Sequence, residues 1–445
     1  MHDMTKGSAA KELLFFTLSM LLSIVFQQLY NIADSVVAGR FIGQEGLAAV
    51  GASYPVTMIF MAVATGCNIG CSVTVSQLFG ARDFRQVKSA ISTSLISVLT
   101  LSLLLTGAGL YYCQTMLRML STPDNIFNQS ALYLNVYIGG LFFLFLYNIS
   151  TGIFNALGDS KTPLYFLIAS SVSNIILDIL FVTAFHMGVG GVAWATFICQ
   201  GAASLMAAFT LFVRLKKIPH TDRYEIFSGH MLGRISRIAI PSILQQSFIS
   251  VGNLMIQGLV NTFGSAVIAG YAAAIKLNTF ALTSFSTLSN GVSAFSAQNI
   301  GANKPDRVKT GFRAGLSMAA CVVVPAILLF QLAPKQMIGI FLNQEESEAI
   351  QAGISFLTIV SPFYLAIAVK LIADGVLRGS GAMGAFMTAT FTDLILRVGL
   401  AFVLAPIYGS SGIWMSWPLG WVLGAALSYW FYKRGSWKKC LPGMM

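Results

Sequence analysis

About twelve apolar runs follow one another along the chain, each near the 20 residues that cross a bilayer as a helix. They lie near 13–38, 46–78, 88–112, 126–156, 162–186, 190–213, 236–262, 266–298, 310–333, 349–377, 384–406 and 412–432. Inside lipid each backbone N–H and C=O must find its partner within the protein, so such runs fold as helices. Composition agrees: 56% of residues are hydrophobic and 10% charged, where soluble domains carry about 25% charged residues. The expected fold class is an all-α polytopic membrane protein. The first run is too long for a cleaved signal peptide, carries Gln27, Gln28 and Asn31, and lacks a small-residue cleavage site. Kinks are expected at Pro55, Pro241 and Pro362.

A net charge of +11 invites a nucleic-acid reading, but the positions of the bases remove it. With the N-terminus cytoplasmic, most Lys and Arg fall in alternate loops or at the two ends, as the positive-inside rule requires. Arg40, Arg118 and Lys335 fall outside, and Lys276, Lys370 and Arg397 fall within helices. Both termini are expected in the cytoplasm of a multi-pass protein of the cell membrane. Segment 214–237 is the long central cytoplasmic connection. Cys67 and Cys71 can share a helix face but have no zinc spacing, the histidines are terminal or in loops, and no GxxxxGK[ST] loop is present. Neither a metal centre nor an ATP-driven pump is expected.

The chain repeats itself. In "SQLFGARDFRQVK" (76–88) and "AQNIGANKPDRVK" (297–309), Gln77, Gly80, Ala81, Val87 and Lys88 recur as Gln298, Gly301, Ala302, Val308 and Lys309, each 221 positions later. The same shift carries Gly188 and Gly191 onto Gly409 and Gly412. The expected domains are an N-terminal six-helix bundle over 1–213, a linker over 214–235 and a C-terminal six-helix bundle over 236–445. An even number of helices per copy gives both copies the same orientation, a parallel 6+6 repeat about an axis along the membrane normal. Transporters so built place substrate between the bundles, and a duplicated channel or scaffold is the bland alternative.

Four aspartates lie within the runs, and they divide into two kinds. Asp374 has Lys370 and Arg378 four positions away on either side, and Asp393 has Arg397 four positions on. Helical spacing makes these neighbours on one face, so structural ion pairs are expected. Asp34 and Asp178 have no Lys or Arg near them in sequence; Asp34 ends a polar stripe with Gln27 and Asn31, and Asp178 has Asn174 one turn before it. A carboxylate in a membrane helix costs several kcal/mol unless it faces the protein interior and holds a proton or a cation. Counting at about 1.5 Å per residue brings Asp34, Asn174, Asp178 and Thr196 to similar depth in the outer half of the membrane. Such a group of oxygens suits either a loading and unloading proton or a hard cation such as Na⁺.

Several stretches together resemble the multidrug and toxic compound extrusion (MATE) family: "YNIADSVVAGRFIGQEGLAAVGASYPV" (30–56), "FGARDFRQVK" (79–88), "NALGDSKTPL" (155–164), "SNIILDILFV" (173–182) and "VLRGSGAM" (376–383). The resemblance covers nearly the whole chain. It implies a secondary antiporter, not an enzyme, with two bundles around a V-shaped cavity. Such a protein exports cationic or amphipathic organic compounds in exchange for H⁺ or Na⁺ by alternating access, as a monomer and with no cofactor beyond the coupling ion. The family's first-helix aspartate matches Asp34, its fifth-helix Asn-x-x-x-Asp matches Asn174 and Asp178, and its sixth-helix threonine matches Thr196. Two departures are visible. "PSILQQSFISVGNLMIQG" (241–258) lacks the acidic residue some relatives carry on the seventh helix, and both Asn148 and Asn155 are available as the fourth-helix amide.

For a cavity that takes bulky cations, aromatic faces, methionine and amides are the fitting lining. Candidates are Gln27, Tyr30, Asn31, Met58, Tyr137, Gln246, Asn253, Met255 and Phe285. A flippase for lipid-linked precursors is the alternative reading. It expects a strongly basic cavity for a pyrophosphate head group, and only Lys276, Lys370 and Arg397 are at hand in the helices.

Overall fold

The computed structural model describes residues 2–37, 41–216, 224–342 and 347–441; the side chains of 31–37, 44, 45, 47 and 440 lie outside that description. Among the described residues every regular element is helical. The helices are α1 (Ala9–Val37), α2 (Gly43–Gly80), α3 (Phe84–Met119), α4 (Asp124–Gly139), α5 (Leu141–Ala156), α6 (Lys161–Ile179), α7 (Gly188–Lys216), α8 (Gly229–Asn261), α9 (Ser265–Gly301), α10 (Pro305–Leu332), the short α11 (Pro334–Gly339), α12 (Ser347–Val360), α13 (Tyr364–Ser380), α14 (Met383–Tyr408) and α15 (Ser410–Lys433). Helices α4 and α5 meet at a bend of 47° and together form one apolar span. Helices α12 and α13 form another, interrupted by a single 3₁₀ turn over Ser361–Phe363. Each expected run therefore carries a helix. The last, α15, is 24 residues long and carries Trp, Gly and Ser along its length; it is not among the ten or eleven helices of the described residues that are long and apolar enough to count as spans.

The duplication seen in the sequence is also written in the backbone. Positive φ angles recur 221 residues apart, at Gly43 (79°) and Gly264 (91°), at Gly188 (54°) and Gly409 (61°), and at Arg82 (60°) and Asn303 (54°). The last pair ends α2 and α9 in the same turn. The N–H of Asp83 donates to Leu78 O at 3.2 Å, and that of Lys304 donates to Asn299 O at 2.8 Å, the closing bond of a Schellman-type helix end. A left-handed residue other than Gly costs roughly 1–2 kcal/mol, so its repetition reflects a required turn. The interruptions recur as well: Gly140, between α4 and α5, and Ser361, between α12 and α13, stand 221 residues apart.

Proline is a poor guide to these interruptions. Pro362 lies in the 3₁₀ turn as expected, but Pro55 and Pro241 sit inside α2 and α8, which continue through them. The 47° bend falls at Gly140, where a Cβ would stand 3.2 Å from the Phe197 ring and 3.3 Å from Tyr137 O.

The chain divides into two compact units, one of Met1–Asp3 with Leu18–Ser247 and one of Met4–Thr17 with Phe248–Met445. The boundaries fall inside the first helix of each repeat, between Thr17 and Leu18 of α1 and between Ser247 and Phe248 of α8. In the second unit the Met4 N–H donates to Gln298 Oε1 at 3.0 Å, and Arg307 donates to the carbonyls of Met4, Lys6 and Gly7 at 2.9, 2.8 and 2.7 Å. In the first unit Arg234 Nη2 donates to Gln77 Oε1 at 3.0 Å, and the Ser228 N–H donates to Thr93 Oγ1 at 3.1 Å. The two glutamines of the repeated motif therefore do the same work. Helix α8 consequently starts at Gly229, ahead of the apolar run expected from 236. Its first turns bury Met231 and Ile235 while keeping a basic outer face, a pattern that a hydropathy window averages away.

Small residues allow the helices within each unit to approach closely. Gly70 faces Ala239 in the first unit and Gly291 faces Thr17 in the second, again 221 residues apart. Gly270 of α9 lies against Ala349 O, with the Ala352 Cβ 2.9 Å from where its own would be. Gly270→Val is expected to destabilise the protein by about 1–3 kcal/mol through overpacking. Gly258→Ala, which meets nothing within 4 Å, is expected to leave the unfolding temperature in detergent unchanged or slightly raised; equal effects of the two would contradict the packing.

Candidate functional site

The candidate site is built on α6 and α7 within the first unit. Asp159 stands two residues ahead of α6, and its carboxylate accepts from the Thr162 N–H at 3.1 Å and from Thr162 Oγ1 at 2.7 Å, satisfying an N–H of the first helical turn. Arg214, near the end of α7, pairs with the same carboxylate and donates to Thr162 Oγ1 at 2.9 Å. One end of the helix pair is thereby fixed. Further along α6, Asn174 and Asp178 are both buried, at 3% and 0% exposure. Two residues past Asp178 the α-helix widens into a π-turn over Leu180–Ala184, where the Phe185 N–H donates to Leu180 O at 3.2 Å. Such turns are frequent at functional positions because they re-aim the side chains beside them.

The Asn174 amide joins the parts of the site. With its nitrogen turned toward Asp178 it donates to Asp178 Oδ2 at 3.0 Å and to the Tyr30 hydroxyl at 3.1 Å, and its oxygen accepts from the Thr196 N–H at 3.2 Å. In the opposite orientation it reaches Thr196 Oγ1 at 3.5 Å. The hydrogen-bond network assigns the first orientation. Asn174, Asp178 and Thr196, expected to meet, do meet, and Tyr30 of α1 joins them. Asn31 and Asp34 belong to α1, but their side chains lie outside the described residues.

Asn174 and Thr196 also form part of the wall of a cavity of about 300 Å³, lined as well by Gln27, Tyr30, Tyr137, Tyr147, Asn148 and Gln200 among others. Of the substrate candidates named from sequence, Gln27, Tyr30 and Tyr137 line it. Met58 does not; Met61, one turn on, takes that place. Gln246 is not among the lining residues, and Met255 is 46% exposed. Phe285 is 1% exposed and packs edge-on against Tyr364 in the second unit, with ring centroids 5.6 Å apart, so it is a core residue there. Of the two candidate amides, Asn148 lines the cavity, donating to Leu144 O at 2.9 Å, and Asn155 does not. Gln200 and Ser170 were missed, although each stands four residues from Thr196 or Asn174, a spacing that puts them on the same helix face.

The acids of the second unit are placed differently. Lys370 Nζ lies 2.9 Å from Asp374 Oδ2 and 3.6 Å from Asp393 Oδ2, while Ser428 donates to Asp374 Oδ1 at 2.6 Å. Asp393 therefore pairs across helices with Lys370, and the expected pair with Arg397 does not form; likewise Asp374 pairs with Lys370 and not with Arg378. The crossing is close because Gly424 of α15 leaves room, a Cβ there standing 2.8 Å from Lys370 Cε and 3.0 Å from Asp393 Cβ. Among the described residues no three His, Cys, Asp or Glu side chains come together as a metal site. The Asn174–Asp178–Thr196 group offers carboxylate, amide and hydroxyl oxygens, donors that fit a proton or a hard monovalent ion and no softer metal.

Comparison with known proteins agrees with this architecture. The MatE family profile matches twice, over residues 19–180 and 241–403, one match per repeat. The probable multidrug resistance protein YpnP of Bacillus subtilis (strain 168) is 28% identical over 439 residues, 98% of each chain. The multidrug export protein MepA of Staphylococcus aureus (strain bovine RF122 / ET3-1) is 23% identical, over 92% of this chain and 90% of its own. In fold the chain is similar to the crystal structure of MATE in the bent conformation, with a TM-score of 0.90, 23% identity and 98% of each chain covered.

Proposed function

Since the chain belongs to the MatE family of membrane transporters, we propose that it is an ion-coupled exporter of cationic or amphipathic organic compounds, driven by inward H⁺ or Na⁺ through alternating access in the cell membrane. The observation that carries this reading is the double role of Asn174. It lines the 300 Å³ cavity and donates to the buried Asp178 carboxylate at 3.0 Å. An ion or proton arriving at Asp178 changes what that oxygen can accept, and the Asn174 amide must respond. The response is felt at Tyr30 and Thr196, which are cavity walls. A ligand can shift a conformational equilibrium only by its differential affinity for the two states, and a residue common to both sites supplies that difference. Asp34 enters the proposal from its place in the polar stripe of α1.

The cavity itself suits the substrate class. Three tyrosines and several amides line it, with no Lys or Arg among its described walls; aromatic faces attract organic cations. The same lining disfavours a pyrophosphate head group, which calls for guanidinium or ammonium donors. In this reading the names borne by relatives, a multidrug resistance protein and a multidrug export protein, apply to the chain's own work. Both termini are cytoplasmic and the working unit is a monomer.

The test uses the purified protein in vesicles, with a pH gradient imposed in the presence or absence of a Na⁺ gradient and a fluorescent organic cation as cargo. Movement of the dye against its own gradient, driven by one of the two ions and accompanied by opposite ion flux, is expected. Dye movement indifferent to both ion gradients, from protein shown to be folded, would overturn the proposal.

A further inference from the structure

Helix α15 ends in a run of bases with no acid beside them. Lys433, Arg434, Lys438 and Lys439 are all exposed, and no Asp or Glu follows Asp393 in the sequence. Among the described residues none of the four has a carboxylate at ion-pair distance. Asp306 of α10, the acid whose charge Lys438 feels, is already engaged by Lys309 at 2.9 Å. These bases are not a loose tail. Gly435, with a φ of 79°, turns the chain after α15 into a 3₁₀ turn over Ser436–Cys440. Trp437 of that turn is 1% exposed, and its Nε1 donates to Tyr432 O at 3.2 Å. Tyr432 stacks on Trp437 at 6.2 Å and on Phe312 of α10 at 3.9 Å, so the scaffold under the bases is held from two sides. Lys433 lies over Tyr429 at 5.7 Å, Arg434 over Trp430 at 5.1 Å and Lys438 over Trp437 at 5.8 Å.

An apolar stripe leads up to these bases. Leu419, Leu423, Ala426 and Trp430 are exposed and recur every three or four residues, so they share one face of α15, and Lys433 and Arg434 continue it by one more turn. From Leu419 to Trp430 the stripe rises about 16 Å at about 1.5 Å per residue, close to the hydrocarbon depth of one leaflet. Although α15 is not apolar enough overall to count as a span, its Ser416 and Ser428 are buried, and the face it exposes is apolar. Trp430, between the stripe and the bases, has the place usual for tryptophan at a membrane surface. The duplication supplies an internal comparison. Phe212 and Val213 of α7 stand 221 positions before Lys433 and Arg434, and the base that follows them, Arg214, is taken by Asp159. The fold alone therefore does not demand bases at this turn. From these observations we infer that the end of α15 binds an anionic phospholipid, with its phosphate at Lys433 and Arg434 and an acyl chain along Leu419, Leu423 and Trp430. Lys438 and Lys439 add to the positive field there. A zwitterionic headgroup brings a cationic amine to a patch without an acid to receive it, so the patch selects a lipid of net negative charge.

The experiment reconstitutes the full-length protein carrying Trp194→Phe in phosphatidylcholine bilayers and follows tryptophan emission. Trp194 is 41% exposed, and its replacement leaves Trp430, 49% exposed, as the exposed indole. Phosphatidylglycerol or phosphatidylcholine with brominated acyl chains is then introduced at rising mole fraction. Bromine quenches at short range and sits on the chain, so the signal reports lipid and not free phosphate. Brominated phosphatidylglycerol is expected to reach half-maximal quenching at a mole fraction at least about fivefold lower than brominated phosphatidylcholine, the factor that a single base at a membrane surface supplies. In Lys433→Gln with Arg434→Gln the two lipids are expected to quench alike. In Arg85→Gln with Lys88→Gln, bases of α3, the preference is expected to persist. If the first double variant is not recovered folded, Arg434→Gln alone serves for the comparison, with a weakened preference expected. Equal quenching by the two lipids in the parent, or a preference unchanged by substitution at Lys433 and Arg434, overturns the proposal. An equal loss in both double variants also overturns it, because the effect would then follow overall charge and not this site.

Discussion

Asp178→Asn is expected to stop uphill transport, leaving dye movement at the level of protein-free vesicles, while the protein still folds. The substitution keeps the shape of the side chain and removes its ability to carry charge. The Asn174 amide at 3.0 Å from Oδ2 still finds a carbonyl oxygen to donate to. The loss in stability should therefore stay within about 1–3 kcal/mol, the range for disturbing one buried hydrogen-bonding group. Transport, by contrast, loses the group on which the ion acts. Counterflow of labelled against unlabelled substrate, which needs no ion gradient, separates the two outcomes. Retained counterflow with abolished uphill transport is the expected pattern. Normal uphill transport by Asp178→Asn would remove Asp178 from the coupling step.

The second large effect concerns the buried ion group of α13 and α14. Lys370→Met leaves two carboxylates, 3% and 6% exposed, facing each other without the ammonium that both contact. Removing one member of a buried pair typically costs about 3–5 kcal/mol, because the remaining charge is uncompensated. Replacing Lys370→Met together with Asp374→Leu and Asp393→Leu should recover only part of that loss: the ion pairs are exchanged for apolar side chains, but Arg378 and Arg397 stay buried without the two carboxylates. The readout is thermal unfolding in detergent. If the triple variant regains stability and still transports, the group is structural, as the sequence spacing suggested. A triple variant as unstable as Lys370→Met alone would show that the stability comes from other contacts.

Much of this organisation was legible in the chain. Lengths of apolar sequence set the helices, and the recurrence of Gln77 to Lys88 as Gln298 to Lys309 set the duplication. Asn174 and Asp178 could be placed together because one helical turn separates them. Thr196 required only a depth argument, since helices crossing a bilayer share a common ruler. What escaped was everything that depends on which helix faces which. Asp393 has Arg397 one turn away, yet its partner is Lys370 on another helix, and no local spacing shows that. Phe285 has the composition of a cavity wall and is a core residue instead, because aromatic side chains serve both roles. The Gly140 bend was hidden for a related reason: glycine is common in membrane helices, and the close approach of Phe197 at this one has no signal in the local sequence. The docking of residues 4–7 on the α9–α10 turn had no signal beyond Arg307 and Gln298, which read as ordinary loop residues.

The central claim is that the ion and the organic substrate act on one another through the Asp178–Asn174 contact. Linkage requires that such coupling be reciprocal, so it can be read from binding alone. The decisive measurement is the Kd of a fluorescent organic cation for the purified protein across a range of pH, with and without Na⁺. The account predicts that Kd shifts severalfold with one of the two ions in the wild type and is flat with both in Asp178→Asn. A shift of equal size in wild type and Asp178→Asn would contradict it.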